Sequence, residues 1–157
     1  MKNLIFFLLA CLIVFSACPG GKKCNGCDNG ECVDGACECE DWAYDNTGSC
    51  DGLYREDFVA TYATTSSFCD GSFPQGTPLS CSRGDYKWQI KIQFGSPNTV
   101  FSLQGDVSGT SVSIPEQSSL SDSWSGSGTL NGNLLSLTIT RKRAGSSDCV
   151  FTILGTK

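Results

Sequence analysis

The sequence predicts a mainly β protein in two parts: a small cysteine-rich module, then an antiparallel meander of seven to eight strands forming a barrel or a sandwich. Three observations predict it. Six cysteines crowd into positions 24 to 50, a stretch too poor in aliphatics to bury a useful core. After Gly52, apolar and polar residues alternate in short runs, and the same region carries no helical period. Charged residues at 17% and 18 Gly among 157 residues mark a turn-rich chain.

The elements follow from the N-terminus. After Met1-Lys2-Asn3, residues Leu4 to Phe15 form an apolar run of 12 residues. As a helix it would rise about 18 Å, short of a bilayer core of roughly 30 Å. One lysine, a short apolar run and then small residues make a secretory signal. Phe15-Ser16-Ala17-Cys18 resembles the lipobox of bacterial lipoproteins, with Phe15 where Leu is usual. The resemblance implies removal of residues 1–17 and acylation of Cys18. It also implies outer-membrane residence, because Pro19 stands where Asp would favour inner-membrane retention. Residues 18–23 then read as a lipidated cysteine and a flexible tether.

Residues 24–52 form the module. Its larger apolar residues are only Val33, Trp42 and Tyr44, so disulfides of an exported protein must hold it. Spacing alone leaves all 15 pairings of Cys24, Cys27, Cys32, Cys37, Cys39 and Cys50 open. The pattern C-x2-C-x4-C-x4-C-x-C-x10-C, with Asn29-Gly30-Glu31-Cys32-Val33, Gly35 and Gly48, resembles an EGF-like domain. That resemblance implies Cys24 with Cys32, Cys27 with Cys37, and Cys39 with Cys50. Trp42, Ala43 and Tyr44 depart from its usual Gly-then-aromatic order, which points to a remodelled last loop. Cys24, Cys27, Cys37 and Cys39 also have zinc-knuckle spacing, set aside for an exported chain without histidine. Calcium is rejected because Gly20-Gly21-Lys22-Lys23 stand where a calcium-binding EGF module carries acids. From Cys18 to Gly52, eight acids face Lys22 and Lys23, a balance of −6; from Leu53 on, eight acids meet eight bases. Solubility of a coreless knot explains that acidity, and a surface for a cationic partner is the sharper alternative.

Residues 53–157 form the β domain. Tyr86, Trp88, Ile90, Ile92 and Phe94 alternate with polar residues, which predicts a strand with Trp88 on the dry face. Further strands are expected at Phe58–Thr65, Thr99–Gln104, Ser111–Pro115, Trp124–Leu130, Asn133–Arg141 and Cys149–Gly155. Asn131-Gly132 marks a hairpin between two of them. Phe58-Val-Ala-Thr-Tyr62, Cys69, Val112-Ser-Ile-Pro-Glu-Gln117, Ser125-Gly-Ser-Gly-Thr-Leu-Asn-Gly132 and Cys149 resemble a β domain that follows EGF-like modules in small bacterial lipoproteins. That family supplies no activity to carry over. A lipocalin-like curl around an apolar ligand is a second architecture the meander permits. Among the remaining cysteines, Cys69 with Cys149 is the first choice, which leaves Cys81 as the odd thiol; the rival is a local Cys69–Cys81 loop.

The chemistry is bounded by what is missing. No histidine is present, which removes triad hydrolases and His-ligated metal enzymes. A net charge of −5 argues against nucleic acid. Ser125-Gly126-Ser127-Gly128 lacks the strand–helix context of a nucleophile elbow. Glu56, Asp57, Asp85, Asp106, Glu116, Asp122 and Asp148 read as turn and strand-end acids, and Arg141-Lys142-Arg143 as a solvated hairpin tip. Trp88 and Trp124 read as core, with sugar stacking as the alternative. The expectation is a non-catalytic, cofactor-free protein held to the membrane by its lipid, with a protein or glycan ligand. The alternative is a carrier whose interior, lined by Trp88, Ile90, Phe94 and Trp124, holds an apolar ligand.

Overall fold

The computed structural model describes residues 24, 26–47, 49–67, 76–96, 99–119 and 121–157. The lipobox, tether, Gly48 and Cys69 lie outside the described residues.

In the module, β1 (Gly30–Val33) and β2 (Ala36–Cys39) form a hairpin. Its turn residues Asp34 and Gly35 have φ of 51° and 87°, the pair of positive values that a two-residue turn matching strand twist requires. A second two-stranded sheet pairs β3 (Ala43–Tyr44) with β4 (Gly52–Leu53). Gly52 is required there, since a Cβ would lie 2.3 Å from the Tyr44 ring.

One helical turn, α1 (Arg55–Phe58), leads into the barrel. The strands are β5 (Ala60–Ser67), β6 (Leu79–Arg83), β7 (Gln89–Ser96), β8 (Thr99–Ser108), β9 (Ser111–Ser119), β10 (Asp122–Asn131), β11 (Leu134–Arg143) and β12 (Cys149–Thr156). Each pairs antiparallel with its chain neighbour, and β12 pairs back onto β5, so eight strands close into a barrel. Closure covers the dry face that every alternating strand carries. Trp124, Phe151, Ile90, Ile92, Leu103, Leu137 and Ile139 have 0% exposure. Side chains with no accessible surface touch one another and line no void, so this interior is a packed core.

Several expected boundaries shift. Phe58 ends α1 rather than opening a strand; it is buried, and its carbonyl accepts from the Tyr62 hydroxyl at 2.9 Å. The run expected to begin at Tyr86 is paired only from Gln89. β6 stands beyond the seven strands read from sequence; in it Leu79 and Cys81 are buried between half-buried serines. At the β10–β11 hairpin Asn131 stays paired with Leu134, and Gly132 carries the positive φ of 58°.

β9 is irregular, and the irregularity is in its sequence. Gln117 pairs with Trp124 and Ile114 with Gly126, so Pro115 and Glu116 face a single residue of β10. Proline lacks the N–H a ladder needs, and bulges tolerate it. On the other side β9 pairs with β8 at only three positions. Beyond them the Gln117 side chain takes over: its Oε1 accepts from Gln104 N and its Nε2 donates to Gln104 O, both at 2.8 Å.

Candidate functional site: the junction of module and barrel

The module holds three disulfides, Cys24–Cys32, Cys27–Cys37 and Cys39–Cys50. These are the pairs the EGF-like resemblance implies. The Sγ atoms of Cys24, Cys27 and Cys37 lie within 4.8 Å of one another, but each sulfur is bonded to another and has no thiolate to offer a metal. Between Cys24 and Leu53 the chain carries eight carboxylates and no lysine or arginine.

Asn29 fixes the module to the barrel. It is 8% exposed; its Nδ2 donates to Cys50 O at 2.7 Å, and its Oδ1 accepts from Lys87 Nζ at 2.9 Å. Two backbone bonds join the same surfaces: Gly109 N donates to Asp41 O at 3.1 Å, and Tyr54 N to Trp42 O at 3.2 Å.

Aromatic rings fill the seam. Trp42 of the module meets Trp88 with centroids 5.8 Å apart, and Trp88 stacks on Tyr86 at 5.0 Å and 7°. Trp88 therefore sits outside the barrel, against the expected dry-face placement. The two-residue period breaks between 88 and 90, where Gln89 and Ile90 are both buried. The cause is the turn before β7, where Gln89 N bonds Tyr86 O and Val107 N bonds Trp88 O. Tyr86 is 57% and Trp88 37% exposed, giving the junction an aromatic shelf. Arg55 Nη1 donates to Tyr86 O at 2.6 Å and steadies it. Beside it Glu56 takes Arg83 Nε at 3.0 Å and Nη2 at 2.9 Å. Those Arg83 bonds hold the Glu56 carboxyl below its usual value, against partial burial and with help from Arg55.

The opposite end of the barrel holds a charged core. Arg141 is 8% exposed, its guanidinium centre 5.8 Å from the Trp124 ring and 5.6 Å from Phe151. Asp122, 5% exposed, lies 3.6 Å from Arg141 Nε and takes a two-pronged grip from Arg143 at 2.9 and 2.8 Å. Lys142 is 3.8 Å from Glu116. The solvated hairpin tip expected from Arg141-Lys142-Arg143 is thus corrected for Arg141, which is buried, while Lys142 and Arg143 stay about half exposed; all three lie in β11, with ion pairs to Asp122 of β10 and Glu116 of β9. Leu135, Leu137 and Ile139 lead in phase to Arg141, which alternation carries inside. Asp122 shares a face with Trp124 for the same reason.

Among the β-domain cysteines, Cys81 is a free, buried thiol, pushed up to about 12 by burial. Its freedom removes the rival Cys69–Cys81 loop. Cys149 is disulfide-bonded.

Compared with known proteins, the chain matches no family model, no curated protein and no solved structure.

Proposed function

We propose that this is a non-catalytic, lipid-anchored protein of the bacterial envelope, attached through Cys18 and acting as a binding or display module for a protein or glycan ligand. The observation that carries the reading is the contrast between a filled barrel interior and an aromatic shelf left to solvent at the junction. A carrier needs a chamber; Ile90, Phe94 and Trp124, three of the residues that would line one, are packed in the core, and Trp88 lies outside it. An eight-stranded barrel has room to be filled by its own side chains or to hold one small ligand, and packing this dense supports the first use. Two of the β domain's carboxylates are tied up in ion pairs, Asp122 with two arginines and Glu56 with Arg83, which supports the non-catalytic reading. Residues 1–23 supply the address, and several acyl chains on Cys18 would hold the chain firmly at a bilayer.

Fractionation of cells expressing Cys18→Ser tests the anchor. The variant is expected in the soluble fraction with an unchanged near-UV circular dichroism spectrum; an unchanged membrane fraction would overturn the reading. Native mass spectrometry of the purified wild type is expected to show no co-purifying lipid, and a bound apolar mass would favour the carrier.

A further inference from the structure

We propose that the aromatic shelf and the outer wall of the barrel beside it form one binding site for a neutral oligosaccharide; this rests on the binding-module reading above. A groove runs over the outside of β8 to β11, lined by Asp106, Ser111, Ser113, Ser127, Thr129 and Thr138. Apart from the buried Val112, its side chains are hydroxyls with one carboxylate.

Two features join the groove to the shelf. Val107 N donates to Trp88 O at 2.7 Å, placing the shelf strand beside the groove strand. Gln89, next to Trp88 in the chain, donates from Nε2 to Asp106 Oδ1 at 3.3 Å. Gln89 is 7% exposed and its Oε1 has no hydrogen-bond partner. That buried amide holds the Asp106 carboxylate, which lines the groove, beside the strand that carries the shelf. Asp106, bonded only to Gln89 among the described residues, keeps further acceptor capacity facing the groove.

This set matches a sugar chain. A pyranose ring offers an apolar C–H face to an aromatic ring and a rim of hydroxyls to carboxylate, amide and serine groups. Tyr86, stacked on Trp88 and 57% exposed, provides the aromatic face. Charge selects the class: the adjoining module carries eight carboxylates and no cation, and the cations beside the shelf are engaged, Lys87 by Asn29 and Arg55 and Arg83 by Glu56, so anionic glycans are repelled and neutral ones are not.

The test is isothermal titration of the mature, detergent-solubilised protein with cellohexaose, chitohexaose, maltohexaose and laminarihexaose, and with alginate and heparin fragments. At least one neutral hexasaccharide is expected to bind and neither anionic fragment. Tyr86→Ala should weaken that binding about tenfold, the loss of one aromatic anchor, and Tyr86→Phe should retain it. Ser127→Trp, a substitution at an exposed position, should block the groove without unfolding the barrel. Failure of all four neutral sugars to bind at millimolar concentration overturns the proposal, as does binding indifferent to both Tyr86→Ala and Ser127→Trp. If an oligolysine peptide binds in a Tyr86-dependent way while the sugars fail, the glycan inference falls and the binding-module reading stands. A co-purified lipid, or a membrane-bound Cys18→Ser, sinks that reading itself.

Discussion

Asp122 has a larger consequence than any other single acid in the barrel. It neutralises Arg141, a guanidinium buried between Trp124 and Phe151, and also holds Arg143. Removing one partner of a buried pair leaves an uncompensated charge, which costs about 3–5 kcal/mol. Asp122→Asn is therefore expected to lower the urea midpoint of unfolding by that equivalent. Lys142→Gln is the control: its partner Glu116 is 3.8 Å away and both side chains are about half exposed or more, so the change should stay within about 1 kcal/mol. A drop for Lys142→Gln as large as for Asp122→Asn would refute the buried-pair account. The charged core was legible in outline: Leu135, Leu137, Ile139 and Arg141 keep one phase, so alternation run two residues further would have placed Arg141 inside. Trp88 shows the reverse. Alternation assigned it to the core, and only the tertiary turn that buries Gln89 in its place moved it out.

Among the elements, β9 depends most on a side chain standing in for backbone. Its three-residue ladder to β8 ends at the Pro115 bulge, and the Gln117 amide then pairs with both backbone groups of Gln104. Gln117→Ala is expected to speed exchange of the Gln104 amide hydrogen at least tenfold, read by NMR, and to destabilise the barrel by about 1 kcal/mol. Unchanged exchange at Gln104 would show that the clamp is dispensable. The proline was visible in the sequence, yet nothing local says that Gln117 reaches across to another strand. β6 was missed for a similar reason. Leu79-Ser80-Cys81-Ser82 alternates, but five residues make a short signal, and Cys81 drew attention as a thiol instead of as the small apolar residue it is in this core. The β10–β11 hairpin was easier, because Asn131-Gly132 declares a turn that demands positive φ, and Gly132 has it.

For the whole molecule, the module and the barrel are held by different physics. The barrel has its own core, while the module relies on three disulfides closing 8, 10 and 11 residues, each contributing about 2–3 kcal/mol. Reduction is thus expected to undo the module first and free Trp42 from Trp88. In dithiothreitol at neutral pH, tryptophan emission should shift red while the β signature in far-UV circular dichroism persists. Simultaneous loss of both would mean that the barrel depends on the docked module or on the Cys149 disulfide, which reduction also opens. The two-part architecture was readable because cysteine density and alternation change at one place, near Gly52. The seam was not, since Asn29–Lys87 and Asp41–Gly109 join residues far apart in the chain, and only the folded arrangement makes them neighbours.

The return of β12 onto β5 carries one more consequence. A ring of strands in which every member has a hydrogen-bonded neighbour on each side offers no full-length edge on which an incoming peptide could extend the ladder; among the described residues the ladder is partial only between β8 and β9, β5 and β6, and β12 and β5. Recognition by strand addition, and the templated stacking that feeds fibrils, are both disfavoured by that closure, which leaves the side chains of the wall as the main surface a ligand meets.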